Sequence, residues 1–163
     1  MSHLYLVRRD GSRRHKLSAE PGAGCSWSPD GSTVVFAGGG DIRTIRADGA
    51  GLTRLTRTAA VEHDPAWSPD GSTIAFLRQA RGGRSAPFDL WTMAADGSAQ
   101  TRVASDVSSF VWSPDGTMVA FIKGSRGFVS RKKRDGLWVA QADGSGQVEL
   151  ARGADQVDWQ RLP

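Results

Sequence analysis

One hexapeptide dominates this chain: Trp-Ser-Pro-Asp-Gly-Ser at 27–32 and again at 67–72, with Trp-Ser-Pro-Asp-Gly-Thr at 112–117. Recurrence at a fixed period marks a stack of like units, each unable to bury its apolar face alone. A decayed approach to the motif, Val157-Asp158-Trp159-Gln160, aligns with Pro65-Ala66-Trp67-Ser68, so Trp27, Trp67, Trp112 and Trp159 are spaced 40, 45 and 47 residues apart. Between them falls a second mark, Ala-Asp-Gly, at 47–49, 95–97 and 142–144, with Arg9-Asp10-Gly11 as an early copy.

Both marks are turns with a mechanism. In Ser-Pro-Asp-Gly, proline (Pro29, Pro69, Pro114) presets φ at the second turn position and aspartate (Asp30, Asp70, Asp115) suits the third. Glycine (Gly31, Gly71, Gly116) then takes the left-handed position that closes a tight hairpin. The tryptophan before the turn ends one strand, and a β-prone run follows it: Val-Val-Phe at 34–36, Ile-Ala-Phe at 74–76 and Val-Ala-Phe at 119–121. A third strand leads into each Ala-Asp-Gly turn, over 42–45, 90–93 and 137–140, with 4–7 before Arg9-Asp10-Gly11. A more polar fourth strand follows, over 53–56, 101–104 and 148–151, with 14–17 as its early copy, and its polarity suits an outer edge.

Four antiparallel strands per repeat of this length predict an all-β fold, a β-propeller of four-stranded antiparallel blades. The chain resembles the TolB-like (WD-repeat-like) propeller family, whose Trp-Ser-Pro-Asp-Gly turn precedes an Ile-Ala-Phe strand and then an Asp-Leu-Trp strand, here 89–91. The resemblance covers essentially the whole chain. It implies the fold but not a function, because the same blades occur in periplasmic scaffold proteins, sensor domains and gating domains of serine peptidases.

The order of strands divides the chain into a half-blade of third and fourth strands (1–19), three complete blades (20–57, 58–105, 106–152) and a closing first strand (153–163). That is three complete blades plus a blade split between the termini. Propellers carry four to eight blades, and an open arc leaves apolar blade faces uncovered. Head-to-tail contacts close into rings when the rotation allows. The favoured expectation is a homodimer forming an eight-bladed ring, the C-terminal strand of each copy completing the half-blade of the other. A fragment of a longer propeller and a four-bladed monomer are the alternatives.

Binding is expected on the face that collects the longer loops, after the second strands. Those loops carry Arg78, Arg81 and Arg84, then Arg126, Arg131, Lys132, Lys133 and Arg134, with Phe88 and Phe128 interleaved. Such a patch suits carboxylates, nucleic acid or another polyanion, and equally serves as an ordinary solvated loop, since Lys and Arg exceed Asp and Glu by only 21 to 17. Glu62, His63 and Asp64, just before a first strand, stand near the channel mouth, where they suit a metal or polar ligand, or else Asp64 caps the strand or meets a backbone amide and His63 lies on the surface. Trp27, Trp67, Trp112 and Trp159 are expected between blades, and Trp91 and Trp138, at matching third-strand positions, in the core.

An enzyme needs a nucleophile, a base and an oxyanion site, or a metal. The three histidines fall in different repeats, no Gly-x-Ser-x-Gly elbow is present, and Gly38-Gly39-Gly40 precedes a strand rather than a helix. The single Cys25 excludes a multi-cysteine zinc site and an internal disulfide, and is expected as a small core residue. The sequence therefore points to a non-enzymatic scaffold for protein interaction, with no cofactor and no metal. A polyanion-binding or small-ligand-binding propeller is the alternative. No signal peptide or membrane span is visible, so the chain as given is expected in the cytoplasm, or exported if a leader was removed.

Overall fold

Each Trp-Ser-Pro-Asp-Gly segment turns the chain because its own side chains satisfy the backbone it bends. In the computed structural model, which describes residues 3–79, 86–124, 136–154 and 156–159, Gly31 N–H donates to the Ser28 carbonyl at 2.9 Å. Ser28 Oγ donates to Asp30 Oδ1 at 2.6 Å, the same oxygen accepts the Ser32 amide at 3.0 Å, and Thr33 N–H donates to Ser28 Oγ at 3.0 Å. The set repeats around Asp70 and Asp115. Gly31, Gly71 and Gly116 hold φ of +70°, +74° and +75°, the left-handed region expected of them.

These hairpins generate fourteen strands among the described residues. They are β1 (His3–Leu6), β2 (His15–Pro21), β3 (Ala23–Trp27), β4 (Thr33–Gly38), β5 (Asp41–Arg46), β6 (Thr53–Arg54) and β7 (Glu62–Trp67), then β8 (Thr73–Gln79), β9 (Phe88–Ala94), β10 (Thr101–Ala104), β11 (Val107–Trp112), β12 (Met118–Lys123), β13 (Gly136–Gln141) and β14 (Val148–Arg152). β3–β6, β7–β10 and β11–β14 are three antiparallel four-stranded sheets, and β1–β2 is a two-stranded one. The fold is all-β, with three complete blades and a two-stranded sheet occupying the third and fourth positions of a further one. Each first strand carries a register irregularity, between Ala23 and Cys25, His63 and Ala66, and Val107 and Ser109. Residues 156–159 lie in no strand. No helix among the described residues is long and apolar enough to cross a membrane.

Blades stack through repeat-equivalent contacts. Leu4 and Leu17 of the two-stranded sheet pack on Val34, Phe36 and Ile45 of the first blade. The opposite face of that blade, Val35 and Ile42, packs on Ile74, Phe76 and Met93 of the second, with Trp67 against them. Ala75, Leu77 and Leu90 then pack on Val119, Phe121 and Ala140 of the third, with Trp112 between the sheets. Each of these two tryptophans thus rests on the blade before it, and Trp112 Nε1 also donates to the Ala66 carbonyl at 3.2 Å. The turns repeat the relation. A Cβ at Gly71 or Gly116 would touch the preceding motif's proline, Pro29 or Pro69, at 3.4 and 3.3 Å. A Cβ at Gly97 would lie 2.8 Å from the Leu55 carbonyl, so that turn sits directly against the residue that follows β6 in the blade before.

Two expectations need correcting. Trp112 is 7% exposed but Trp27 is 47% exposed, because the strand positions on which Trp27 would rest are not occupied among the described residues. Cys25, two residues earlier on the same strand, is exposed rather than buried for the same reason. The other end of the arc shows a matching gap: Leu150, the counterpart of Leu17 (5% exposed) and Val103 (2%), is 57% exposed.

The motif carboxylates titrate below the ordinary aspartate range. For Asp30 the Ser28 hydroxyl contributes most, followed by the Ser32 amide and hydroxyl; Asp70 and Asp115 have the equivalent donors. A carboxyl whose value is lowered by folding stabilises the fold at neutral pH and loses that contribution as pH falls through the lowered value. Replacing all three by asparagine is expected to lower stability at pH 7 and to flatten the acid limb between about pH 5 and about pH 2. Urea unfolding across that range checks this, and an unchanged acid limb would contradict it.

Candidate functional site

The loop face of the second blade is built around an acid that the repeat does not call for. Glu62 opens β7 at the repeat position held by Gly22, just before β3, and by Val107 at the start of β11, and its side chain is wholly buried. A buried carboxylate must be paired and hydrogen-bonded. Arg78 Nε donates to Glu62 Oε1 at 2.7 Å, Thr58 Oγ1 donates to the same oxygen at 3.1 Å, and Thr56 Oγ1 donates to Oε2. Thr56 Oγ1 in turn accepts the Ile42 amide at 2.8 Å, which ties the network to the first blade.

Arg78 has further partners. Its guanidinium lies 4.3 Å from the Trp91 ring centroid and donates to Gln100 Oε1 at 2.6 Å. The third blade copies the stack without the acid: Lys123 lies 4.6 Å over Trp138. Trp91 and Trp138 are therefore half-buried beneath cationic side chains rather than enclosed in the core. Two cross-strand ion pairs recur on the outer half of the blades, Arg54 with Asp41 at 2.7 Å and Arg102 with Asp89 at 3.5 Å.

Of the other expected binding residues, His63 and Phe88 meet edge to face with ring centroids 4.1 Å apart. His63 Nδ1 lies 3.0 Å from Asp64 Oδ2. Asp64 holds φ of +51° at the strand irregularity, the position of Gly24 (φ +54°) in the first blade. Arg81, Arg84, Arg126, Phe128, Arg131, Lys132, Lys133 and Arg134 lie outside the described residues. The structure therefore brings together His63, Asp64 and Phe88, and engages Arg78 within its own blade.

Inside the arc the first strands line an open cavity of about 280 Å³, bounded by Gly24 and Cys25 of β3, by Asp64, Pro65 and Ala66 of β7, by Leu77, and by Ser109 and Phe110 of β11. One carboxylate, one thiol and one hydroxyl among apolar walls can hold a small polar molecule. Among the described residues no three His, Cys, Asp or Glu side chains converge as a metal would require. Sequence reasoning placed Glu62 beside His63 and Asp64 near the channel mouth but missed its burial and its link to Arg78. The available signal was the break in the repeat, an acid where the sister blades place Gly22 and Val107.

Residues 1–137 match the model of the TolB beta propeller domain. No curated protein matches the chain. Among solved structures, a protein assigned as TolB from Agrobacterium tumefaciens superposes with a TM-score of 0.72 at 23% identity, over 93% of this chain and 58% of that one. TolB from Acinetobacter baumannii does so with 0.73 at 18% identity, over 91% and 37%. An oligogalacturonate lyase in complex with manganese gives 0.72 at 13% identity, over 92% and 46%. The chain thus spans little more than half the length of the first of these and less of the others, and likeness at these identities shows the fold alone.

Replacing Arg78 by methionine leaves the Glu62 charge buried and unpaired, and is expected to cost about 3 to 5 kcal/mol. The double variant with Glu62→Gln should recover most of that loss. Urea unfolding of the two single variants and the double variant measures the coupling, and simple additivity would contradict the pairing.

Proposed function

Because this chain belongs to the TolB beta propeller domain family, we propose that it is a non-enzymatic binding scaffold whose arc of blades is closed by association. The observation that carries this reading is the contrast between Trp27 and Trp112, the same side chain in the same repeat position, one exposed and one buried. An indole left in water beside a sheet of this kind forgoes the burial that its equivalents obtain, and association is the direct way to recover it. The uncovered Leu150 at the far end gives the arc two unlike open ends, the condition for head-to-tail contact. A second copy of the chain is the favoured partner, the segment around Trp159 of each copy lying toward the β1–β2 sheet of the other to make an eight-bladed ring.

A second reading is favoured by the cavity between the first strands: capture of a small polar ligand in the channel, or of a polyanion by the basic loop face. Its signature is binding that weakens steeply with salt for the polyanion and saturates at one site for the small ligand. The scaffold reading has the more direct physical support in the exposed Trp27 and Leu150, whose repeat equivalents Trp112 and Val103 are buried.

Light scattering over a range of concentrations tests the association. The expected result is a species of twice the chain's 17.4 kDa that a Trp27→Glu substitution dissociates. A monomer at every concentration would overturn the second-copy reading.

A further inference from the structure

We propose that the seam between the second and third blades carries a carboxylate-binding site, formed by the Lys123 ammonium held on the face of Trp138. The site goes beyond the readings above and does not depend on how the arc is closed, since both blades that form it are complete. Each seam between consecutive sheets holds a cation at its loop side, and all but this one supply an acid as well. Between the β1–β2 sheet and the first blade, Arg43 takes the place of Trp91 and Trp138 on the third strand and pairs with Glu20 of β2. Between the first and second blades, Arg78 pairs with Glu62, which Thr56 and Thr58 hold from the first blade. Between the second and third, Lys123 lies 4.6 Å from the Trp138 ring centroid. Among the described residues no carboxylate oxygen comes within 4.0 Å of its ammonium.

The strand register shows what was exchanged. Glu62 pairs with Arg78 across β7 and β8, and Val107 pairs with Lys123 across β11 and β12. Val107 is buried in one apolar cluster with Ala104, which stands where Thr56 does, so this seam lacks both the acid and the hydroxyl that holds it. Asp106, at the place of Thr58, donates its amide to Asp89 Oδ1 at 3.4 Å, and its carbonyl accepts the Gly124 amide at 2.8 Å. The cation nevertheless stays fixed. Lys123 Nζ donates to Gln147 Oε1 at 3.3 Å, and Gln147 Nε2 donates to the Val103 carbonyl of the second blade at 2.7 Å. The ammonium is thus positioned from both blades, which removes much of the freedom an unheld lysine loses on binding. Gln147 takes only one of its donors. Val107 closes the interior route, so an acceptor reaches the ammonium from the solvent side. A single cation over an indole matches a monoanion, and the sister seams meet theirs with carboxylates, whereas a phosphate dianion calls for more than one cation.

The test follows the ε-methylene signals of Lys16, Lys123, Lys132 and Lys133 by NMR of the full chain carrying carbon-13 at that position. The Lys123 signal is identified by its upfield shift over the Trp138 ring and by its loss in Lys123→Gln. The probes are the acetylated amide of glutamate, a polyglutamate peptide, inorganic phosphate and sodium chloride. The expected result is a saturable shift of the Lys123 signal with both glutamate probes, binding at least tenfold weaker in Lys123→Gln, and most of it kept in Lys123→Arg. Val107→Glu gives the ammonium a partner from its own blade and is expected to abolish the response; if that variant does not fold, Lys123→Gln decides. Polyglutamate that acts at tenfold lower carboxylate concentration than the free probe points to an acidic segment of a partner protein, and equal potency points to a free organic acid; either upholds the site. A Lys123 signal that does not saturate, that moves as far with chloride, or that prefers phosphate would overturn the inference. Polyglutamate that shifts only Lys132 and Lys133 would uphold the polyanion reading of the loop face and sink this site.

Discussion

Everything in this structure depends on one contact made over and over: a tryptophan at the end of a first strand resting on the sheet of the blade before it. Trp67 and Trp112 make that contact, and the glycines of the second and third motif turns repeat it at the rim by fitting against the prolines Pro29 and Pro69. No blade is stable by itself, since a single sheet of this size has two apolar faces and can cover neither. Stability is therefore nearest-neighbour, and the chain is held together only as firmly as each blade is held by the next. That explains why the ends of the arc behave differently from its middle even though their sequences are alike. Trp27 and Leu150 have the residue types of buried positions and the exposure of surface ones.

Much of this was legible in the sequence because it is local. The Ser-Pro-Asp-Gly turns, the third-strand turns and the alternation of strands depend on neighbours within six residues, and Gly31, Gly71 and Gly116 all take the backbone conformation their position required. Gly39 and Gly40, which join β4 to β5, both hold positive φ, as a two-residue hairpin turn requires. What could not be read was burial that depends on an adjacent blade. Trp27 and Cys25 match their counterparts in type or position, and nothing in their own repeat reveals how little of the preceding sheet covers them among the described residues.

The candidate site was only partly legible for a related reason. Charge counting placed Arg78 among residues available to a polyanion, but a guanidinium over Trp91 with a buried Glu62 on one side and Gln100 on the other is a structural member of its blade. Pairing across 16 residues of sequence is invisible without the strand register that aligns Glu62 with Arg78. His63 and Phe88 illustrate the reverse case, two residues read separately that the fold brings edge to face at the mouth of the arc. The loop face is thus stiffened by internal polar and aromatic contacts on the second blade.

The central claim is that the repeat tryptophans are equivalent in sequence and unequal in energy. It is tested most directly by urea unfolding of Trp27→Ala, Trp67→Ala and Trp112→Ala at a concentration where the chain is monomeric. The account predicts losses of about 3 to 5 kcal/mol at Trp67 and Trp112 and less than about 1 kcal/mol at Trp27, whose indole has little packing to lose. Three equal losses would contradict it, because Trp27 would then already rest on a covering sheet.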